Sequence, residues 1–489
     1  MIHTRLPRGH AGFYSHMISY HIRCAMKQKE KIKKSSRIRL IKKAPKDVAI
    51  MGAGWYGIHL ALALRETGYK VVILEKDKDI LSGTSGTFGI RTHTAGLHYP
   101  RSKKTRQICT RNYTKFCAAY SNLLVQNKFS IHALVKEDAL GNASKVGLQT
   151  FQDVCREDKT CESFETEAHG YQGLLDAVTI NEPSILVGEQ LREILRSDLI
   201  HADIPFVCNY TVQKVEDRGN KITVIGDNGT EFEFDQVINA TGFQSLLPEN
   251  FKNNPFGLIV IYQPCLGLIY EDMMPDSGSF SFLALDGANP AIMPYVTGQY
   301  MVTHGYYTIL ASCDSPQEAA AILGRLTDDF VEQKIKTLTE QDILRYMPGF
   351  NQRFRYVGWK ESVLAKPLTD TEFRCALTFS DPNRVIHAFP GKISSVFDTE
   401  QEVLALIKNR NCSERNGYRF VNNGVLADAS VEIRQKPTGN GHNTCMSNPY
   451  PELYKRTPEN RSTRSFFKRL EISDESINPQ YSVIQLSMS

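Results

Sequence analysis

The chain opens its ordered pattern with Val48-Ala49-Ile50-Met51, four apolar residues in a row. A short unbroken run of this kind suits a parallel strand buried on both faces. It passes directly into Gly52-Ala53-Gly54-Trp55-Tyr56-Gly57. The spacing then predicts a helix from Ile58 to Thr67, stopped by Gly68, and a second strand from Tyr69 to Leu74, ended by Glu75. Further along, Phe206 to Glu216, Lys221 to Ile225, Glu231 to Phe234 and Gln236 to Asn239 read as short strands, with Asp227-Asn228-Gly229 as a hairpin turn. Ile185 to Leu199 and Glu400 to Ile407 read as helices. Residues 245–380 read as a mixed antiparallel sheet with intervening helices. The longest apolar stretch, Phe256 to Tyr270, is broken by Gln263-Pro264 and by glycines, so buried strands fit it better than a membrane span.

Composition changes this picture mainly at the ends. The 489 residues include 41% hydrophobic and 10% aromatic residues, enough to build a core across two or three domains. The formal charge is +5. Residues 1–47 hold thirteen basic residues against two acids, Glu30 and Asp47, while the remainder carries 45 basic against 51 acidic residues. A mildly acidic body is a poor binder of phosphate backbones, so no nucleic-acid partner is expected. Residues 1–45 read as a flexible basic leader. Residues 409–489 are dense in Asn, Ser, Arg and Pro and read as a polar, disordered tail in which Ser465 to Leu470 could form a short helix. Eleven cysteines without a CxxC pair read as free thiols of a reducing compartment. No run reaches the roughly 18 apolar residues of a membrane span. A cytoplasmic location is expected, with organellar targeting by the leader open.

Each glycine of the first turn has a physical task. Gly52 permits the tight turn, Gly54 clears room for a pyrophosphate, and Gly57 lets the helix pack on the strand. The helix N-terminus, with Trp55 and Tyr56, offers free N–H groups and a positive dipole end. Glu75 stands 18 residues after Gly57, where an acid can accept from ribose hydroxyls, and Lys76 follows it. Strand, turn, helix and acid together predict a dinucleotide site.

The next segment is Ser82-Gly83-Thr84-Ser85-Gly86-Thr87-Phe88-Gly89-Ile90-Arg91, a hydroxyl-bearing glycine loop in place of a crossover helix. With Gly96 to Ser102, Asn181-Glu182-Pro183-Ser184, Ala240-Thr241-Gly242 and Arg384 to Ile393, the chain resembles the FAD-dependent oxidoreductases of the D-amino-acid oxidase (DAO) superfamily over roughly residues 46–408. The resemblance implies an α/β fold: a Rossmann-like FAD-binding domain of the glutathione-reductase type, interleaved with an α+β substrate domain of mixed antiparallel sheet. The FAD domain would take residues 46–120, 181–250 and 381–408, and the substrate domain 121–180 and 251–380. FAD is the implied cofactor. Gly83, Thr84 and Ser85 would meet the pyrophosphate, and Arg91 is expected among the cofactor-binding residues, where it could hold a phosphate or an acidic substrate group. Val212 would lie near the adenine, followed by Ala240, Thr241 and Gly242. Gly391, Lys392 and Ile393 would meet the flavin's pyrimidine end.

The chemistry expected is removal of a hydride from a C–H bond next to nitrogen or oxygen, in a small polar substrate such as an amine or amino acid. Oxygen or another acceptor would take up the electrons. Orientation and desolvation carry much of such a step, so the lack of a triad does not count against an enzyme. His98 and Arg101 fall in the segment that the resemblance sets beside the flavin, with His93 and Tyr99 near them. Lys392 could stabilise the reduced anion. Tyr295, His304, Tyr306 and Tyr307 are expected on strands of the substrate half. Arg355, flanked by Arg353 and Lys360, is the expected clamp for a substrate carboxylate. No metal site is expected. Two alternatives stay open: an FAD monooxygenase or sugar-nucleotide flavoenzyme, and an FAD-holding interaction protein that uses its basic leader.

Overall fold

The run Val48 to Met51 forms the strand Asp47–Met51, third of five parallel strands, with all four of those side chains buried. Its neighbours are Lys70–Leu74 and Gln236–Asn239, flanked in turn by Phe206–Val207 and Ile386–Phe389. The computed structural model describes residues 46–88, 90–91, 102–157, 161–244, 246–285, 287–369, 373–429 and 449–454. The leader, most of the tail, Asp286, and the segment with His93, His98, Tyr99 and Arg101 lie outside the described residues, as does the side chain of Arg91.

The helix Trp55–Glu66 covers one face of this nucleotide sheet. Ile58, Ala61 and Leu64 share a core with Val48, Ile50, Ile73 and Ile238. Each of these valine, leucine and isoleucine side chains contributes on the order of 1.5–3 kcal/mol through burial. The helix expected from Ile185 starts instead at Glu189 and runs to His201. Gly188 explains the delay: it has φ +78° and its N–H is held by the Gly86 carbonyl at 2.9 Å, a conformation that a helix cannot continue through. Ser184–Ile185 becomes a short strand.

The second eight-stranded sheet runs in the order Phe354–Pro367, Val260–Asp272, Gln299–His304, Pro290–Pro294, Phe280–Leu285, Phe129–Val135, Leu174–Thr179 and Glu162–Ser163. It is antiparallel except where Phe280–Leu285 runs parallel to Phe129–Val135. The strand Val260–Asp272 passes through Pro264 unbroken; the proline carbonyl still accepts from the Leu310 N–H at 2.9 Å. The segments Pro316–Leu323 and Asp328–Leu344 cap one face, where Ala319, Ile322, Val331, Ile335 and Ile343 share a core with Leu266, Leu268, Ile292 and Val302. The chain crosses between the two sheets repeatedly, because strands 47–51, 236–239 and 386–389 belong to one and strands 129–135 and 260–304 to the other.

The tail departs from expectation. Cys412–Arg415 and Tyr418–Val421 form a hairpin that extends the nucleotide sheet, and the turn Val425–Asp428 follows it. Tyr418, Val425, Leu426 and Ala429 are buried against Phe256 and Phe379. A few apolar residues spaced for one seam are enough to order a segment whose average composition is polar. Residues 450–454 also pack on the protein, with Tyr450 and Leu453 buried against the helical cap.

Glu402, on the helix Val396–Ile407, fastens this extension by accepting from the Val425 N–H at 2.6 Å. Burial pushes its carboxyl up to about 7, against the opposing pull of the Val425 amide. The folded protein therefore holds this proton at pH values where the unfolded chain has released it. Stability from this group is complete below the unfolded value of about 4.3 and is lost as pH rises through 7, with a slope of at most about 1.4 kcal/mol per pH unit. Glu402→Gln should flatten that decline when denaturant midpoints are compared between pH 5 and 8; equal slopes in both proteins would refute the assignment.

Candidate active site

A cavity of about 610 Å³ lies where the two sheets meet, a size in the usual range of ligand sites. One end is built by the first turn. Gly52 has φ +99°, and a Cβ there would stand 2.7 Å from the Ala240 carbonyl oxygen. A Cβ on Gly57 would stand 1.9 Å from the Gly52 oxygen, so this glycine lies behind the loop and sets helix against strand. Gly54 differs. A Cβ on it would meet only Ser85 Oγ, at 3.4 Å, and the residue lines the cavity. The protein's own packing leaves room there, and a side chain would enter the space a ligand needs.

Glu75 is buried, and each of its oxygens accepts one backbone N–H group. Its carboxylate accepts from the Ala53 N–H at 2.6 Å and the Asp77 N–H at 2.9 Å. Burial raises its carboxyl above the ordinary range, and the two amides pull against that rise. Each oxygen keeps capacity for a further donor, so holding the glycine loop and accepting a ribose hydroxyl are compatible. Lys76 pairs with Asp77 at 3.1 Å beside it. Val212 and the Ala240–Gly242 turn line the same end.

The second glycine segment forms the short helix Thr84–Thr87. Ser85 Oγ accepts from the Trp55 N–H at 3.2 Å, and Thr84 Oγ is 2.6 Å from Ser362 Oγ on the substrate sheet. Gly83, Thr84 and Ser85 all line the cavity. The glycine that sterics demand is Gly86, whose Cβ would lie 2.0 Å from the Leu81 oxygen.

The far wall is the loop Pro390 to Ile393. A Cβ on Gly391 would lie 1.9 Å from the Ala376 nitrogen, and the Lys392 N–H donates to the Arg374 carbonyl at 2.8 Å. Tyr56 reaches across from the first helix and donates to the Lys392 carbonyl at 2.6 Å. The two ends of the cavity are thus tied by one buried hydroxyl. The chain's residues fit a flavin dinucleotide: a pyrophosphate-sized gap at Gly54, an acid at the second strand, and a cationic loop at the opposite end.

The side toward the antiparallel sheet is lined by Leu266, Leu283, Met293, Thr303, His304, Ile309 and Val363, among others. His304 ends its strand, and Tyr306 and Tyr307 fall in the following turn rather than on a strand. Its Nδ1 accepts from the Tyr306 and Tyr307 N–H groups at 3.0 Å each, and its Nε2 lies 3.0 Å from Asp342. Two amide donors at Nδ1 assign the hydrogen to Nε2. Burial lowers its pKa below the ordinary histidine value. The ring is a neutral brace for the turn, with no nitrogen left for the substrate.

Arg355 must be corrected. Its side chain is 65% exposed, pairs with Glu271, and does not line the cavity. It sits near the end of the long strand, opposite Glu271, where strand alternation carries it to solvent. Its neighbour Arg353 is bound to Asp272 at 2.7 Å. Among the described residues, the arginine that lines the cavity is Arg374, which the sequence did not single out. Its guanidinium makes no hydrogen bond or ion pair among the described residues. Its signal was a cation between the fully buried Phe373 and Cys375, just ahead of a strand. His98 and Arg101 lie outside the described residues.

A nucleotide sheet, a glycine-lined cavity and a facing antiparallel sheet define a flavin-dependent oxidoreductase. The family model described as FAD dependent oxidoreductase (DAO) matches residues 47–360, and the chain belongs to that family, with FAD as its cofactor. It is 42% identical over 422 residues to the FAD-dependent monooxygenase kojA of Aspergillus flavus, covering 83% of this chain and 97% of that protein. Among solved structures, glycine oxidase from Geobacillus kaustophilus matches with a TM-score of 0.55 at 15% identity, covering 78% of this chain and 98% of that one. A modified fructosyl peptide oxidase from Aspergillus nidulans matches with a TM-score of 0.58 at 13% identity, covering 75% and 91%. At such identities the structures speak for the fold alone.

Gly54→Leu should give a folded but colourless protein. Visible absorbance and far-ultraviolet circular dichroism check this; stoichiometric FAD retained in the variant would exclude the assigned pyrophosphate gap.

Proposed function

We propose that this protein oxidises a small polar substrate by removing a hydride from a C–H bond next to nitrogen or oxygen, an amine or amino acid being the class the cavity suits best. Bound FAD supplies the hydride acceptor. The chain's residues do the rest. Leu266, Leu283, Ile309 and Val363 exclude water from one side of the substrate. Thr303 and the braced turn after His304 supply the polar part of the wall. Lys392 brings positive charge to the far loop, where charge develops on reduction.

The observation that carries the reading is Arg374, a cavity arginine without an ionic partner among the described residues. A planar guanidinium so placed is suited to hold a carboxylate or another anionic group by paired hydrogen bonds. Nine cysteines among the described residues are free thiols, which supports a reducing compartment such as the cytoplasm.

The relatives' name supports a second reading, in which bound FAD would supply oxygen-transfer chemistry to the substrate. The two readings differ in the source of electrons. In the first, an amine or amino acid bleaches the flavin without oxygen and without a nicotinamide. In the second, bleaching needs a reduced nicotinamide and the product gains one oxygen atom. An anaerobic panel followed by product mass separates them.

Under the first reading, Arg374→Ala should raise KM for an acidic substrate by about 10- to 100-fold, the worth of a charge-assisted pair, with FAD content unchanged. Steady-state kinetics check this; an unchanged KM would remove Arg374 from the substrate site.

A further inference from the structure

The turn after His304 forms part of the substrate wall, with Gly305, Thr308 and Ile309 lining the cavity. Its inner side is braced within the substrate sheet. The Leu266 N–H donates to the Thr308 carbonyl at 2.8 Å, and the Leu310 N–H donates to the Pro264 carbonyl at 2.9 Å. Two carbonyls of the same turn are bound from another part of the chain. Tyr450 donates to the Tyr307 carbonyl at 2.9 Å and Tyr454 to the Leu310 carbonyl at 3.0 Å, from 143 and 144 residues away.

The segment that carries these tyrosines is firmly seated. Tyr450 is 2% exposed and meets Phe330 edge-to-face at 5.5 Å. Arg325 donates to the Leu453 carbonyl, and Lys334 pairs with Glu452. Phe330 and Lys334 belong to the helical cap, Arg325 to the turn between its two segments, and the cap also supplies Asp342 to the His304 ring. The cap therefore holds the turn twice: directly through Asp342 and His304, and indirectly through Tyr450 and Tyr454.

We propose that Tyr450 and Tyr454 are positioning residues of the substrate pocket. The C-terminal segment acts as a strap that fixes the wall from Gly305 to Leu310, so that it sets substrate fit and leaves FAD binding to the rest of the cavity. An anchor alone would need only the buried faces of Tyr450 and Leu453, the Arg325 hydrogen bond and the Lys334–Glu452 ion pair. The hydroxyls add something an anchor does not need, because both end on the turn that lines the cavity.

Hydrogen–deuterium exchange on the FAD-loaded full chain tests this without any substrate. Tyr450→Phe with Tyr454→Phe keeps both rings and removes both donors. Amides of residues 304–311 should then exchange about tenfold faster, while those of the first helix, 55–66, stay as they were. Glu452→Gln loosens the strap's ionic contact without touching the turn and should leave both regions unchanged. Unaltered exchange at 304–311 in the double variant, or an equal rise at 55–66, would overturn the proposal. In turnover, the double variant should raise KM for the substrate that bleaches the flavin and hold kcat within about twofold. A loss of melting temperature with KM unchanged would show a purely structural strap.

Discussion

The fold depends on how closely three backbone segments approach one another at the carboxyl ends of the parallel strands. Gly52 rests against Ala240, Gly57 against Gly52, and Gly391 against Ala376, each at a distance where a Cβ would collide with backbone. Backbone atoms cannot give way as a flexible side chain can, so these glycines cannot be replaced without moving strands. The close approach leaves a gap at Gly54 and brings Tyr56 within reach of the Lys392 carbonyl. The cavity is thus a consequence of strand packing, and its shape is set before any ligand arrives.

The polar groups around that cavity divide into those that serve the scaffold and those left over for a ligand. Glu75 and Ser85 satisfy amides of the glycine loop, and His304 satisfies two amides of the substrate wall. A buried amide without a partner costs about 1–3 kcal/mol, so these side chains stabilise the loops that shape the site. Arg374 has no such duty among the described residues. That contrast makes it a better candidate for substrate recognition than residues whose lone pairs and protons are already engaged.

The strap extends the same economy of contacts. Its apolar residues seat it on the cap, and its hydroxyls finish the hydrogen bonding of a turn that the substrate sheet satisfies only from inside. On the proposed reading, substrate fit is shared between the sheet, the cap and the segment that carries Tyr450 and Tyr454.

The nucleotide half was legible in the chain because its information is local. The strand Asp47–Met51, the glycines at 52, 54 and 57, and Glu75 fall within about thirty residues, and backbone geometry alone dictates their spacing. The start of the helix at Glu189, the ordered hairpin after Cys412 and the strap at Tyr450 were hidden, because each depends on a contact made far away in sequence. Arg355 and Arg374 show the difference most clearly. Both are arginines beside strand-forming runs, and charge alone treats them alike. Which one reaches the cavity is decided by the fold, because Arg355 lies on the strand Phe354–Pro367 and faces solvent, whereas Arg374 lies in the loop before Leu377–Ser380 and lines the cavity. Glu271 is beside Arg355, and none of the described carboxylates is paired with Arg374. Sequence alone determined the dinucleotide fold, through steric demands local to the chain. Tertiary structure alone decided the substrate wall, because long-range pairing sets which side chains remain unsatisfied.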